Sequence, residues 1–250
     1  MTVHYRNLDI EWLGYATIRL ENEGTVVYVD PGRYGVLTGE WQADSPGAER
    51  AHPSGDAIEP QDGDLVCLSH VHHYDPDGIE RVASPDATVL AFEGMDVRGS
   101  SRDLSRLASL PYDVREVGME EEGVAADCTF WTVPAYNEPD GPHTREDGTP
   151  YHPEGRGCGF LLEVGETTVF WPGDTDVLEG HDELEVDVFC PPIGGSFTMD
   201  RTEAAALAAD LDPALVVPVH YNTFEAIETD SRAFAADVAS AGIPVALDER

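Results

Sequence analysis

The sequence predicts an α/β protein in which two β-sheets pack together with helices outside. Three observations carry this reading. Short apolar strand patterns come in meanders in each half of the chain, helical segments follow them, and an apolar sheet face must be covered by another layer. A chain of 250 residues can bury a large core. No linker separates the halves, so residues 1–250 are read as one domain.

Taken in order, "DIEWLGYATIRLE" and "TVVYVD" read as opening strands. The stretch from "PGRYGVLTGEW" to "EPQDGD" carries little periodicity, and loops of such length are commonly functional. "LVCLS" is a short buried-type strand that runs into His70, and "PDGIERVA" gives one or two helical turns. "ATVLAF" is a strand, "SRDLSRLASL" a short amphipathic helix and "CTFWTVPAYN" a strand. A second polar loop, "EPDGPHTREDGTPYHPEGRG", follows. "CGFLLEV" and "TTVFW" form a hairpin across "GE" that stops at "PGDTD", and "VDVFC" is a strand ending at "PPIGG". "DRTEAAALAADL" is a helix with Asp200 as N-cap and Glu203 three residues on, a capping-box pattern, with Pro213 beyond its end. "ALVVPV" is a buried strand leading into His220. "TDSRAFAADVASAG" is a helix capped by Thr229 and closed by Gly242, and "IPVAL" is a last strand.

Charge bounds the function. The chain has 49 acidic and 14 basic residues, every basic one is arginine, and the formal net charge is −35. The acids spread along the whole chain without forming a tail, which reads as adaptation to high salt, where like-charge repulsion is screened within about 3 Å at 1 M. No run of arginines exists to displace counterions from a nucleic-acid backbone. No apolar run approaches a membrane span, and the N-terminus lacks a signal-peptide pattern, so a cytoplasmic protein is expected, with no membrane or nucleic-acid partner and with room for a homo-oligomer. Cys67, Cys128, Cys158 and Cys190 show no CxxC pair and read as buried free thiols.

The chemistry collects at strand ends. "SHVHHYDPDG" places His70, His72, His73, Asp75 and Asp77 within a few residues, just after an apolar strand. Residues i and i+2 of an extended segment point to one side, so His70 and His72 can meet one metal. Asp174 follows "TTVFW" and His220 follows "ALVVPV". Rigid strands that deliver polar tips to one edge preorganise a site. Imidazoles with a carboxylate suit zinc, manganese or iron(II).

The order "SHVHHYD", "VPAYN", "FWPGDTD", "PPIGGSFTMDRTEAA" and "VVPVHYNTF" resembles the metallo-β-lactamase superfamily. Within it the chain is similar to the metal-dependent hydrolases that include the L-ascorbate-6-phosphate lactonases, as an acidic member of haloarchaeal type. The resemblance implies a four-layer αββα sandwich, a centre of one or two divalent ions with zinc foremost, and hydrolysis by a metal-bound hydroxide. It makes His70, His72, Asp174 and His220 metal ligands, with Asp30 behind them. His152 is preferred to His143 as a further ligand. Asp174, with Asp75, is expected to be catalytic.

Two departures stand out. Tyr15 in "LGYAT" replaces a histidine of the "LGHAS" pattern, and the His-x-His-x-Asp-His motif is broken, with Tyr74 and Asp75 where Asp and His belong. Either His73 or Asp75 serves the second metal position, and the divergence of adjacent side chains along an extended segment favours Asp75. Tyr136, Asn137, Tyr221 and Asn222 are candidates for binding substrate and its developing oxyanion. Loops 31–64 and 138–157 are expected to wall the pocket. The substrate class expected is a small molecule with an ester, lactone or phosphoester bond. The alternatives are a phosphodiesterase or nuclease of the same fold, and a non-catalytic member with a decayed metal site.

The charge reading has a direct check. Thermal melts should give a higher midpoint in molar potassium chloride than after desalting; an equal or higher midpoint at low salt would exclude salt adaptation.

Overall fold

A computed structural model describes residues 2–53 and 55–249. Seven strands form the first sheet: β1 Val3–Tyr5, β2 Leu8–Gly14, β3 Thr17–Asn22, β4 Thr25–Val29, β5 Gly63–Leu68, β6 Ala83–Phe92 and β7 Asp113–Val117, side by side in chain order. The first four are antiparallel neighbours, and β4 through β7 are parallel. The second sheet contains β8 Glu122–Ala125, β9 Cys128–Pro134, β10 Cys158–Val164, β11 Thr167–Trp171, β12 Val188–Phe189 and β13 Leu215–Val216, in the order β13-β12-β11-β10-β9-β8. Here β8 to β11 are antiparallel, and β11, β12 and β13 are parallel. Helices α1 Pro46–Ala51, α2 Pro76–Val82, α3 Arg201–Leu211 and α4 Ser231–Ser240 flank the sheets, giving the expected α/β sandwich.

Period-two burial fixes the sheet faces. In β2, Leu8, Ile10 and Trp12 are buried while the residues between them are half-exposed. Trp12, Tyr28, Phe130, Phe160, Phe170 and Trp171 are among the largest fully buried side chains. All four cysteines are free and buried, as their apolar settings predict.

The helix α3 has the capping box read from sequence: the Asp200 side chain accepts from the backbone N–H of Thr202 and Glu203, and Glu203 returns a bond to the Asp200 N–H. Three expectations need correction. "SRDLSRLASL" forms only a 3₁₀ turn at Leu107–Ser109, because most of it is exposed and offers no continuous apolar stripe to pack. The cap of α4 is Asp230, whose side chain accepts from Ala233 N; the Thr229 N–H is instead bound by Asn222 Oδ1 at 2.9 Å. "IPVAL" makes a single bridge, Val245 to Val216, and no strand, whereas "ALVVPV" pairs through Leu215–Val216 and on to Val219, with Val217 N donating to Phe189 O and Val219 N to Pro191 O, both at 2.9 Å.

Two glycines set the loop after β4 against α2. A Cβ on Gly78 would collide with the Pro31 carbonyl oxygen and come within 2.8 Å of Gly32 Cα. Gly32 itself has φ +105°, which a side chain adopts only with strain. This contact holds residues 30–33 next to the start of α2, and so next to the histidine segment. Gly78→Ala should destabilise the protein by about 1–3 kcal/mol through overpacking; denaturant unfolding of the variant against the parent measures it.

Candidate metal centre

Parallel strands end on the same edge. Asp30 follows β4, Ser69 and His70 follow β5, Asp174 lies three residues past β11, and His220 lies four past β13. At Asp30, His220 and also Tyr15 the backbone turns sharply into the left-handed region, with φ of 46°, 54° and 50°. Such conformations cost about 1–3 kcal/mol each for residues with a side chain, and they cluster at functional sites.

The histidine segment turns rather than continuing extended. His73 N donates to His70 O at 3.2 Å, closing a turn over residues 70–73. This brings the His70 and His73 rings within 4.2 Å of each other. Both then face Asp174. Asp174 Oδ2 lies 3.5 Å from His70 Nε2 and 3.3 Å from His152 Nε2. Asp174 Oδ1 lies 3.5 Å from His73 Nε2 and 3.4 Å from His220 Nε2. His72, exposed at the rim, has Nδ1 at 3.1 Å from His152 Nε2. His70, His72 and His152 form one group able to hold an ion, and His70, His73 and Asp174 another.

Nitrogens and oxygens at these separations fit a metal better than each other. Ligands 2.0–2.2 Å from a tetrahedral ion are about 3.4 Å apart. His70 Nε2, His73 Nε2, His220 Nε2 and Asp174 Oδ1 are buried with no hydrogen-bond partner. Unpaired buried polar atoms are costly, and four aimed at one small volume are satisfied together by a cation.

The charge states agree with that. Burial drives His70 and His73 well below the ordinary imidazole range, with the neighbouring histidines adding to the effect. Burial lowers His152 to about 3 and His220 to about 4. The imidazoles are therefore neutral with lone pairs available, the state in which they ligate. Burial, and then the neighbouring Asp30, raises Asp174 well above the carboxylate range. A cation between these groups would reverse that penalty.

The outer partners orient the rings. His73 Nδ1 bonds Asp30 Oδ2 at 2.9 Å, which leaves Nε2 free toward Asp174. Asp30 Oδ1 accepts from Ser69 N at 2.8 Å, and Oδ2 accepts from Ser69 Oγ at 2.6 Å and from Trp171 Nε1 at 3.0 Å. Burial still pushes Asp30 up to about 6, against the donors that favour its charge. His152 Nδ1 lies 3.2 Å from Asn137 Oδ1 and 3.1 Å from Phe197 O.

The other sequence-predicted residues lie elsewhere. Asp75 is not brought to the cluster: as the N-cap residue of α2 it turns away, and its Oδ2 accepts from Arg33 N at 2.6 Å. The turn at 70–73, which places His73 instead, is the reason. His143 bonds Asp176 Oδ1 at 2.6 Å and Gly195 O at 2.8 Å, so both ring nitrogens are engaged away from Asp174. Asn137 spends its amide on Asp176 and Phe197 O, and its oxygen on His152 N, so it braces His152 instead of facing substrate. Tyr221 is buried, stacked on Trp12 with centroids 4.4 Å apart, and its hydroxyl donates to Glu249. Asn222 caps Thr229 N, and the Tyr136 ring does not line the metal cavity. Asn137 and Tyr221 are thus engaged with protein partners.

A cavity of about 540 Å³ opens beside the cluster, and its lining includes Arg33, Arg102, Arg145, Tyr151 and Arg156. Residues of both expected loops, 31–64 and 138–157, contribute to it, together with 96–102. Tyr15 lies on the other side of the cluster, with its ring 5.0 Å from His73 and 4.6 Å from His220. The arginines and Asp176 escaped sequence reasoning. The signal for Asp176 was present, two residues after Asp174 in "GDTD".

Comparison with known proteins identifies the family. The model of the β-lactamase superfamily domain matches residues 9–220. The chain belongs to the metallo-β-lactamase superfamily. It is 30% identical over 236 residues to a UPF0173 metal-dependent hydrolase of Thermococcus kodakarensis, covering 91% of this chain and 90% of that protein. It is 31% identical over 237 residues to a UPF0173 metal-dependent hydrolase of Pyrococcus horikoshii, with 91% and 90% covered. This places it in the UPF0173 family of metal-dependent hydrolases. The fold is shared with a metallo hydrolase of Ignicoccus hospitalis, at a TM-score of 0.66 and 20% identity over 96% of this chain and 94% of that one.

Asp30→Ala removes the acceptor for Ser69 N, Ser69 Oγ, Trp171 Nε1 and His73 Nδ1. Stranding those buried donors should cost about 3–5 kcal/mol, read as a lowered denaturation midpoint of the metal-stripped protein.

Proposed function

We propose that the chain is a hydrolase that works with one or two divalent ions on an ester, lactone or phosphoester bond of a small molecule. The observation that carries the reading is the Asp174 carboxylate, with each oxygen facing two imidazole Nε2 atoms at 3.3–3.5 Å. His70, His72 and His152, with Asp174 Oδ2, would hold one ion. His73 and His220, with Asp174 Oδ1, would hold the second. Five imidazoles and one carboxylate favour zinc, with manganese and iron(II) as alternatives.

When bound, such an ion supplies hydroxide at neutral pH, by lowering the pKa of water from 15.7 towards about 7, and polarises the substrate's oxygen. The chain does the rest. Asp174 orients the attacking water and receives its proton at a carboxylate oxygen. Asp30 holds His73, and Asn137 holds His152, so the rings need no rearrangement on substrate binding. Burial, with Asp174 next, keeps the Tyr15 phenol protonated, a hydroxyl donor in the wall of a second, smaller cavity of about 260 Å³ that Asp174 and His220 also line. Tyr15 stands where the "LGHAS" pattern has histidine, and we assign it to the developing charge on the substrate.

A cavity of about 540 Å³ suits a small molecule. The likeness to the L-ascorbate-6-phosphate lactonases supports a lactone among the possible bonds. The acidic composition supports a haloarchaeal-type, cytoplasmic setting without nucleic-acid or membrane partners. His73 beside Asp174 counts against the decayed-site alternative, since it restores a ligand that the broken motif had put in doubt.

Zinc and manganese titrations of chelator-stripped variants test the assignment. His73→Ala should bind about one equivalent less than the parent, whereas Asp75→Ala should match it. Asp174→Asn should weaken both positions and slow hydrolysis of a para-nitrophenyl ester by about 100-fold or more. A parent protein that binds no ion would end the reading.

A further inference from the structure

Outside the metal cavity, five of the nine described arginines pair with a carboxylate, Arg81 with Asp77 and Glu59 among them, and Arg50, Arg98, Arg106 and Arg232 do not. Arg6 pairs with Asp187, Arg19 with Glu11, Glu21 and Asp62, Arg115 with Glu121, and Arg201 with Asp237. The metal cavity gathers four arginines in one wall. Arg33, Arg102, Arg145 and Arg156 line it beside His70, His72, His152 and Asp174. Among the described residues, Arg33, Arg102 and Arg145 form no ion pair, and Arg156 has only a loose one, 3.9 Å from Asp96. Asp96 and Asp174 are the carboxylates of the same lining, and four guanidiniums gathered in one concave wall still favour entry of a further negative group.

The four divide by what else they do. Arg102 donates from Nη1 to Tyr74 O at 2.9 Å and from Nη2 to Val71 O at 2.6 Å, and Arg33 donates to His72 O. These two hold the backbone of the histidine segment. Arg145 has no such duty. Its guanidinium carbon lies 4.9 Å from the centroid of the Tyr151 ring, and the guanidinium N–H groups have no side-chain or backbone acceptor among the described residues. Arg145 and Arg156 are both exposed at the mouth, on the loop that also carries His152.

We propose that the substrate is an anion: a small molecule with a carboxylate or phosphate group remote from the bond to be cut, received by Arg145 and Arg156 at the mouth while that bond lies at Asp174. The planar fork of a guanidinium matches either group with paired N–H donors. The proposal rests on the hydrolase reading above and names the substrate class of that same site.

The test uses two esters with one leaving group, neutral para-nitrophenyl acetate and anionic mono-para-nitrophenyl succinate. The metal-loaded parent, the Arg145→Gln/Arg156→Gln variant and Arg201→Gln as a remote control are compared. The parent should favour the anionic ester by about tenfold or more in kcat/KM, mainly through KM, as one charge-assisted hydrogen bond provides. The double variant should bring the ratio close to one, and the control should keep the parental ratio. A parental ratio of one, or a preference that survives in the double variant, would overturn the proposal. Calorimetric titration of the metal-stripped proteins with succinate and with inorganic phosphate gives a second readout and separates the two anion types. Affinity for at least one should fall about tenfold in the double variant; no binding to the parent, or equal binding to both proteins, also overturns it. Arginine-dependent binding without cleavage of either ester would count against the hydrolase reading alone.

Discussion

Asp30 is a carboxylate with 1% of its surface exposed, at the end of β4, and its two oxygens meet four donors. Removing such a group from water costs several kcal/mol unless its hydrogen bonds are complete. The donors come from three places. Ser69 extends β5 of the same sheet, Trp171 ends β11 of the other sheet, and His73 sits on the turn between β5 and α2. The need to satisfy one buried charge therefore sets how the two sheets meet at this edge. Asp174 lies three residues beyond Trp171, and His70 follows Ser69 directly. Fixing those two donors places the carboxylate and the imidazoles opposite each other. The left-handed backbone at Asp30 belongs to the same arrangement, since it aims the side chain inward at the point where the strand stops.

The turn at 70–73 is held from the outside as well. Its carbonyls at Val71, His72 and Tyr74 point away from the cluster and accept from Arg102 and Arg33. Arg33 also binds Asp75 through its backbone N–H, which ties the start of α2 to the loop after β4. The imidazoles are thus braced by Asp30 and Ser69 on the buried side and by two guanidiniums on the wet side. A ligand set held by the protein's own bonds loses little conformational entropy when an ion enters, which is what a preorganised centre requires.

Much of this was legible in the sequence. The strand-end positions of His70, Asp174 and His220 followed from apolar runs that stop at polar residues, and the capping box of α3 followed from Asp200 and Glu203. His73 was harder, because the choice between it and Asp75 depends on whether the segment stays extended. One backbone hydrogen bond, His73 N to His70 O, decides that, and no periodicity encodes it. Asn137 and Tyr221 looked available for substrate because polar residues near a site suggest chemistry. Their partners, Asp176 and Glu249, are 39 and 28 residues away, and only tertiary structure reveals that they are already engaged. Asp230 displaced Thr229 as a cap for a similar reason, since the Thr229 N–H is taken by a side chain from the preceding loop.

The arginines were the least visible feature. Positions 33, 102, 145 and 156 lie on three separate segments, so the sequence shows four isolated cations in an acidic background. The fold assembles them into one wall. The rest of the surface carries a large excess of negative charge, which repels anions at long range but is screened within about 8 Å at physiological salt and about 3 Å at 1 M. Short-range contacts to a guanidinium fork are screened far less, because the partners touch. At high salt the repulsion from the surface therefore fades faster than the attraction inside the cavity. An acidic exterior and a cationic mouth are then compatible on one molecule, and high salt lets an anion approach the mouth.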